Sequence, residues 1–298
     1  MRAGGFVISM KLCSECGEVV DDHGRQCSFC SHQTEKLDGH WAFAPELAEH
    51  SEGFEADYFP RLAELEAGNF WFRARNRLVI WALQRYFPTA KSFMEIGCGT
   101  GFVLSGVQKA LPELALCGSE IFSAGLSFAA KRLPEVELFQ MDARQIPFRE
   151  EFDVVGAFDV LEHLKEDEDA LKQMFQATKK GGGILITVPH HPFLWSASDD
   201  FARHARRYTT RELSDKVKKA GFEIVRITAF VSFLLPLLAV SRLKQRRSSE
   251  PFDPTSEFNI NSSVNTALEK ILDAERSLIR AGLSLPAGGS LLLVGRRC

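Results

Sequence analysis

Three groups of residues have types and spacings that could do chemistry. The first is Cys13-Ser-Glu-Cys16, followed after ten residues by Cys27-Ser-Phe-Cys30. Each pair can form a tight knuckle offering two thiolates to one ion, and two knuckles complete the tetrahedral set that suits zinc. A site with four cysteine ligands is closed, so its expected role is structural. A segment this short buries little surface alone, and a metal would supply much of its folding energy; Gly17 and Gly24 fit its turns. The second group is Glu95-Ile-Gly97-Cys98-Gly99-Thr-Gly101. Glycines between a strand and a helix let a ligand approach the backbone closely. A dinucleotide fingerprint wants Gly-x-Gly-x-x-Gly, but here the third glycine falls one place early and Phe102 stands where it should be. The third group is His190, His191, His204, Arg206, Arg207 and Tyr208, in a stretch with seven basic and two acidic residues between Arg203 and Lys219. An imidazole is a natural base near neutral pH, so His191 or His204, working with Tyr208, is the expected proton acceptor. Guanidinium forks bind phosphate or carboxylate bidentately, so Arg206 and Arg207 are expected to hold an anionic part of a substrate. His163 is expected to shape a turn.

These groups need elements to position them. Apolar runs at 92–96, 114–118, 136–140, 153–158 and 183–188 read as buried parallel strands. Helical patterns lie between them, at Phe102 to Ala110, Ile121 to Leu133 and Asp167 to Lys180. This alternation predicts an α/β fold with a doubly wound sheet. A basic helix at about 204–220, a strand at 222–229 and a last strand from Ser290 to Val294 complete it. Upstream, a helix is expected from about Asn69 to Phe87, mixing aromatics with Arg73, Arg75 and Arg77. The expected organisation is a zinc-ribbon-like module over 1–36, a linker with N-terminal helices over 37–90, and the main domain over 91–298. Residues 37–69 read as acidic and loop-like, with a helical patch near 46–52. An insertion spans about 230–288, with an amphipathic helix at about 264–282 and a polar, proline-containing loop at 248–262.

At the glycine loop the sequence resembles the class I S-adenosylmethionine-dependent methyltransferases, whose first motif is acidic-x-Gly-x-Gly-x-Gly, here Glu95, Gly97, Gly99 and Gly101. The resemblance implies a Rossmann-like, seven-stranded methyltransferase sheet that binds S-adenosylmethionine. Further positions agree. Glu120, nineteen residues past Gly101, ends a strand beside Ile121, and a carboxylate there can accept both ribose hydroxyls. Asp142-Ala143 falls where the family contacts the adenine. Phe158-Asp159-Val160-Leu161-Glu162-His163-Leu164 looks like the family's fourth motif, with Asp159 at the cofactor. Cys98 is expected to pack beneath the loop, and Arg73 or Arg75 to reach the cofactor's methionine carboxylate. A narrower likeness joins the Phe70-Trp71-Phe72-Arg73-Ala74-Arg75-Asn76 helix to Val188–Ser196, Asp199, His204, Arg206–Thr209 and the ending Leu285–Leu292. It is similar to a bacterial group whose members resemble enzymes acting on small molecules, glycan precursors or lipid precursors.

Composition limits the alternatives. The chain has 298 residues, 45% hydrophobic and 25% charged, with 36 basic and 39 acidic side chains, close to soluble globular averages. This excludes a fully disordered, collagen-like or disulfide-scaffold chain. A protein built to neutralise phosphates is usually strongly basic, so nucleic-acid binding gains no support. The Asn/Asp-Pro-Pro-aromatic motif of amino-methylating nucleic-acid enzymes is absent at 158–161, and no Pro-Cys nucleophile stands there. An RNA methyltransferase reading through the cysteine module is the alternative. Against it, residues 1–36 hold four basic and five acidic side chains. A non-catalytic cofactor-binding scaffold is the third reading. The short stretch Phe6 to Met10 lacks the length of a secretory signal, and seven cysteines do not suggest a secreted framework; a cytoplasmic location is expected. Within the insertion, the apolar run Phe230–Val240 ends in Arg242, Lys244, Arg246 and Arg247, which suits a packed helix, a lid, or peripheral contact of 230–247 with an anionic bilayer. The expected activity is methyl transfer, at oxygen, to a small-molecule or lipid-linked acceptor, with structural zinc at the N-terminus.

Overall fold

The computed structural model describes residues 11–20, 26–49, 56–247 and 260–298. The stretch Phe6 to Met10, the turn at Gly24, the end of the expected 46–52 patch and most of the 248–262 loop lie outside the described residues.

The strands are β1 (Lys11–Leu12), β2 (Val19–Val20), β3 (Glu35–Leu37), β4 (His40–Ala42), β5 (Ser92–Ile96), β6 (Ala115–Glu120), β7 (Glu137–Gln140), β8 (Phe152–Phe158), β9 (Thr178–Pro189), β10 (Glu223–Phe230) and β11 (Ser290–Arg296). Strands β1 and β2 form a small ribbon around the cysteines; the other nine make one sheet in the order β10-β11-β9-β8-β5-β6-β7-β4-β3. The seven expected strands form its continuous body. Strands β5 to β9 run parallel, and β11 lies antiparallel between β9 and β10. Every residue of β5 is buried, as a strand covered on both faces requires. Its side chains alternate between two cores: Met94 and Ile96 join one, Phe93 the other.

From β5 the chain winds outward to β6 and β7, then returns to β8 on the other side of β5. That reversal opens a crevice at the carboxyl ends of the strands, and the sequence-predicted cofactor residues all fall there. Helices Phe102–Ala110, Ser123–Arg132 and Asp167–Ala177 make the crossovers.

Two expectations change. The described residues of 37–69 are not all loop-like. They carry β4, which pairs in parallel with β7 through Trp41 opposite Phe139 and Ala42 opposite Gln140, and helix Phe59–Leu65. The expected linker thus extends the sheet to nine strands, and the boundary near residue 36 runs through a hairpin. The basic helix begins at Thr210 rather than near 204, capped by the Thr209 hydroxyl, which accepts from Glu212 N at 3.1 Å. Residues 203–208 are irregular instead, and Tyr208 bridges to His190. The apolar run opening the insertion forms helix Leu235–Arg247, with Pro236 in its first turn, where a missing N–H costs nothing.

Helix Phe70–Tyr86 starts on an Asn69 side-chain cap. It packs beside the insertion helix Ser262–Arg280, where Arg73 and Arg77 both pair with Glu269, and Arg77 also reaches Asp273 at 3.1 Å. Glu275 of that helix is buried, and its carboxylate accepts from Val231 N, Ser232 N and Phe233 N at 2.6–2.8 Å. The insertion's long helix is therefore anchored through Glu269, Asp273 and Glu275.

Candidate active site

The glycine turn leaves β5 and becomes the start of helix Phe102–Ala110, with Gly97 and Gly101 both left-handed, φ +65° and +75°. Only glycine holds such angles without strain. A Cβ on Gly97 would come within 2.5 Å of the Val160 side chain, so the loop and the end of β8 approach as closely as backbone allows. Cys98 packs beneath, donating its N–H to Ser119 O at 2.8 Å, and burial pushes its thiol well above the usual range. It is a filler under the loop, as expected.

Four carboxylates ring this turn. Glu120 is buried at the end of β6 and accepts from Gly99 N at 3.0 Å, Ile121 N at 2.9 Å and Phe122 N at 3.2 Å. Burial raises its pKa, and those three N–H groups oppose the rise. Glu95 is also buried and pushed up by desolvation, with Arg75 working against it. Asp142 is gripped bidentately by Arg144, at 2.7–3.1 Å. Asp159 has φ +58°, pairs with Arg75, and accepts from Thr187 Oγ1 at 3.2 Å. Arg75 in turn lies 4.5 Å over the Trp71 ring. These side chains, together with Ile121 and Ala143, line one cleft of about 640 Å³. A glycine cradle, a strand-end carboxylate and an apolar wall suit S-adenosylmethionine.

The expected residues beyond the cofactor loop separate. His204 lines the cleft, its Nδ1 donating to Asp199 Oδ1 at 2.9 Å. Asp199 is fully buried, also accepting from Arg207 Nε at 2.7 Å and Ser196 N at 2.9 Å. Burial works the other way, but His204 and Arg207 hold its carboxyl down at about 2. Arg207 lines the cleft as well, with Nη1 on His190 O. The rest are corrected. Tyr208 is wholly buried, its hydroxyl 2.5 Å from Asp167 Oδ2, and burial beside Asp167 pushes its ionisation upward; it does not line the cleft. Arg206 pairs with Asp167 at 2.8 Å and donates to Lys165 O, so an anchored carboxylate takes its fork. His191 stacks on His190 at 3.5 Å and against Phe193, away from the cleft lining. Arg73 faces Glu269 rather than the cofactor loop.

Sequence reasoning missed one part of the site and left the other as one of three readings of the insertion. Helix Phe59–Leu65 and the residues flanking it bring Tyr58, Phe59 and Glu66 over the glycine turn. The Glu66 carboxylate accepts from Thr100 Oγ1 at 2.6 Å and Arg132 Nη1 at 3.0 Å. No local pattern marks Glu66 among the acidic residues around it. The other part is the apolar end of the cleft, made by Leu234, Leu237, Leu238 and Leu268 from the insertion.

The cysteine module gathers its four thiols within 4.8 Å of one another, with Cys13 and Cys30 Sγ atoms 3.5 Å apart and Cys16 and Cys27 Sγ atoms likewise. Zinc–sulfur bonds of ~2.3 Å put tetrahedral ligands ~3.8 Å apart, so the donor set fits that ion.

Residues 66–227 match a family model described as a methyltransferase domain. Over 168 residues the chain is 25% identical to a Mycolicibacterium smegmatis protein named "probable S-adenosylmethionine-dependent methyltransferase", covering 55% of this chain and 63% of that one. It is 32% identical over 105 residues to a dTDP-3-amino-3,4,6-trideoxy-alpha-D-glucopyranose N,N-dimethyltransferase of Streptomyces venezuelae, covering 34% and 44%. The chain thus spans less than two thirds of either relative. In fold it resembles the crystal structure of a Thermotoga maritima S-adenosylmethionine-dependent methyltransferase, with TM-score 0.50 at 20% identity over 81% of this chain and 98% of that one.

Proposed function

The chain belongs to the class I S-adenosylmethionine-dependent methyltransferases, and from that premise we propose that it methylates an oxygen of a small, largely apolar or lipid-linked acceptor. Bound in the cleft, S-adenosylmethionine supplies a methyl group already activated on a sulfonium. The protein's task is alignment, since displacement at that carbon is in-line. Gly97, Gly99 and Gly101 let the ligand lie against backbone. Glu120 offers its carboxylate to the ribose, and Asp142 and Ala143 flank the adenine. Arg75, steered by Asp159 and Trp71, reaches toward the methionine carboxylate.

The observation that carries the acceptor reading is the apolar continuation of the cleft, from the cofactor loop to Leu234, Leu237, Leu238 and Leu268. Arg207, at the same cleft, has Nε on Asp199 and Nη1 on His190 O, which leaves its Nη2 for an anionic group of the acceptor. His204 takes the position at the acceptor oxygen, because its ring is oriented by Asp199 and lines the cleft. The insertion's apolar surface extends outward through Phe233, Val240 and Leu243, each about half exposed, and we assign segment 230–247 to contact with a lipid surface. No helix among the described residues is long and apolar enough to cross a membrane. Cys13, Cys16, Cys27 and Cys30 hold a structural zinc, which metal analysis would return as one zinc per chain.

The test is transfer of labelled methyl from S-adenosylmethionine into fractionated cell extract. Label in an organic-extractable fraction that mild alkali releases as methanol, or hydriodic acid releases as methyl iodide, supports the reading. Label confined to RNA would replace it with the nucleic-acid alternative.

A further inference from the structure

Glu162, His163 and His204 bring a carboxylate oxygen and two imidazole nitrogens within 4.8 Å of one another, on the wall of the same cleft. They come from separate elements. Glu162 and His163 lie in the turn Leu161–His163 after β8, and His204 follows helix Ala197–Phe201. The two rings meet edge to face, with centroids 4.8 Å apart. The backbone ties the pieces together, since Ala205 N donates to Glu162 O at 2.6 Å.

Glu162 is 1% exposed, and its Oε2 has no hydrogen-bond partner among the described residues. A buried carboxylate oxygen without a donor is costly. The cations nearest to hand are committed elsewhere: Arg75 to Asp159, and Arg207 to Asp199. The cleft therefore presents a buried carboxyl oxygen without a donor next to two imidazoles.

We propose that Glu162, His163 and His204 form a binding site for one divalent first-row metal ion at the acceptor end of the cleft. Two imidazoles and one carboxylate with open positions suit Mn²⁺, Fe²⁺, Co²⁺ or Zn²⁺ better than Mg²⁺ or Ca²⁺, which favour oxygen ligands. His204 presents Nε2, because Asp199 holds Nδ1; a carboxylate behind a ligating histidine fixes ring orientation and raises ligand basicity. Ligands ~2.1 Å from one ion stand ~3.0–3.5 Å apart, so closure takes side-chain shifts of about an ångström. Three protein ligands leave room for an oxygen of the acceptor, and with the ion bound His204 acts as its ligand instead of taking the proton itself. An acceptor hydroxyl on the ion gives its proton to water, its oxygen then forms the new bond to the methyl carbon, and the carbon–sulfur bond breaks with its electron pair going to sulfur. That role rests on the oxygen-acceptor reading; the binding of the ion does not.

The test uses the full, zinc-loaded chain titrated with MnCl₂, following the electron paramagnetic resonance signal of free Mn²⁺. Mn²⁺ competes poorly for a thiolate set, so the cysteine module stays silent. The expected result is one Mn²⁺ per chain. Binding is lost in Glu162→Gln and His204→Gln, which keep parental melting and S-adenosylmethionine binding, and weakened about 10–100-fold in Asp199→Asn. In the unaltered protein, added Co²⁺ gives visible d–d absorption without thiolate charge-transfer bands, a readout that needs no variant. Failure of the unaltered chain to bind either ion, or undiminished binding in well-folded Glu162→Gln and His204→Gln, overturns the site. Ion binding with no effect on methyl transfer would keep the site and remove only the oxygen-acceptor role.

Discussion

Among the residues first considered for proton handling, geometry leaves one at the cleft. His204 is oriented by Asp199, whereas Tyr208 spends its hydroxyl on Asp167. His204→Ala should therefore lower turnover by about 10²–10⁴-fold with cofactor binding retained. Tyr208→Phe should leave turnover within a few fold and cost about 1–2 kcal/mol of stability, read by steady-state kinetics and denaturant melts. His190 tells a different story at this scale. Burial, with His191 and Arg207 adding, pushes its pKa down to about 4. The unfolded chain then binds a proton near pH 6.5 that the folded chain refuses until about 4. Stability should fall as pH drops through that window, by up to about 1.4 kcal/mol per pH unit, and His190→Gln should flatten the slope in acid melts. The residues of the glycine turn and strand ends were legible because their meaning lies in short spacing. Glu66 acquires its meaning only from Thr100 and Arg132, tens of residues away, and Glu162 partly from His204, which spacing does not encode.

At the scale of elements, the insertion is the informative part. One carboxylate, Glu275, satisfies three N–H groups of the 231–233 turn, where Val231 holds φ +60°. Glu275→Gln places an amide where only acceptors serve, and should destabilise the protein by about 1–3 kcal/mol. The loss should show in a thermal melt and as faster proteolysis within 230–247. Parallel strands and their crossover helices were readable from the sequence because continuous apolar runs alternate with helical period. Helix Phe59–Leu65 was not, because it is short and follows residues rich in charge. Hairpin β3–β4 was not either, since two three-residue strands carry no period; what holds β4 is pairing with β7 and Trp41 packed between Lys11 and Lys36.

Across the whole molecule, the sheet's reversal, the glycine turn and the insertion converge on one cleft, polar at the cofactor loop and apolar toward helix Leu235–Arg247. The strand order was implied by family resemblance, while the roof over the cleft was only one reading of the insertion, because it joins 58–72 with 231–242 and Leu268. The same helix turns Leu237, Val240 and Leu243 outward, each about half exposed or more. Val240→Asp with Leu243→Asp should abolish flotation with anionic vesicles and leave S-adenosylmethionine affinity unchanged. Flotation that survives the pair would dissociate the segment from any lipid surface.

The central claim is that the cleft at the ends of β5, β6 and β8 binds S-adenosylmethionine, and calorimetric titration of the zinc-loaded chain tests it most directly. The account predicts one ligand per chain. It predicts loss of binding in Gly97→Val, where a side chain would meet Val160, and about 10–100-fold weaker binding in Glu120→Ala, the worth of a charge-assisted hydrogen bond. A folded, zinc-loaded protein that releases no heat with S-adenosylmethionine, or binds it equally well as Gly97→Val, would contradict it.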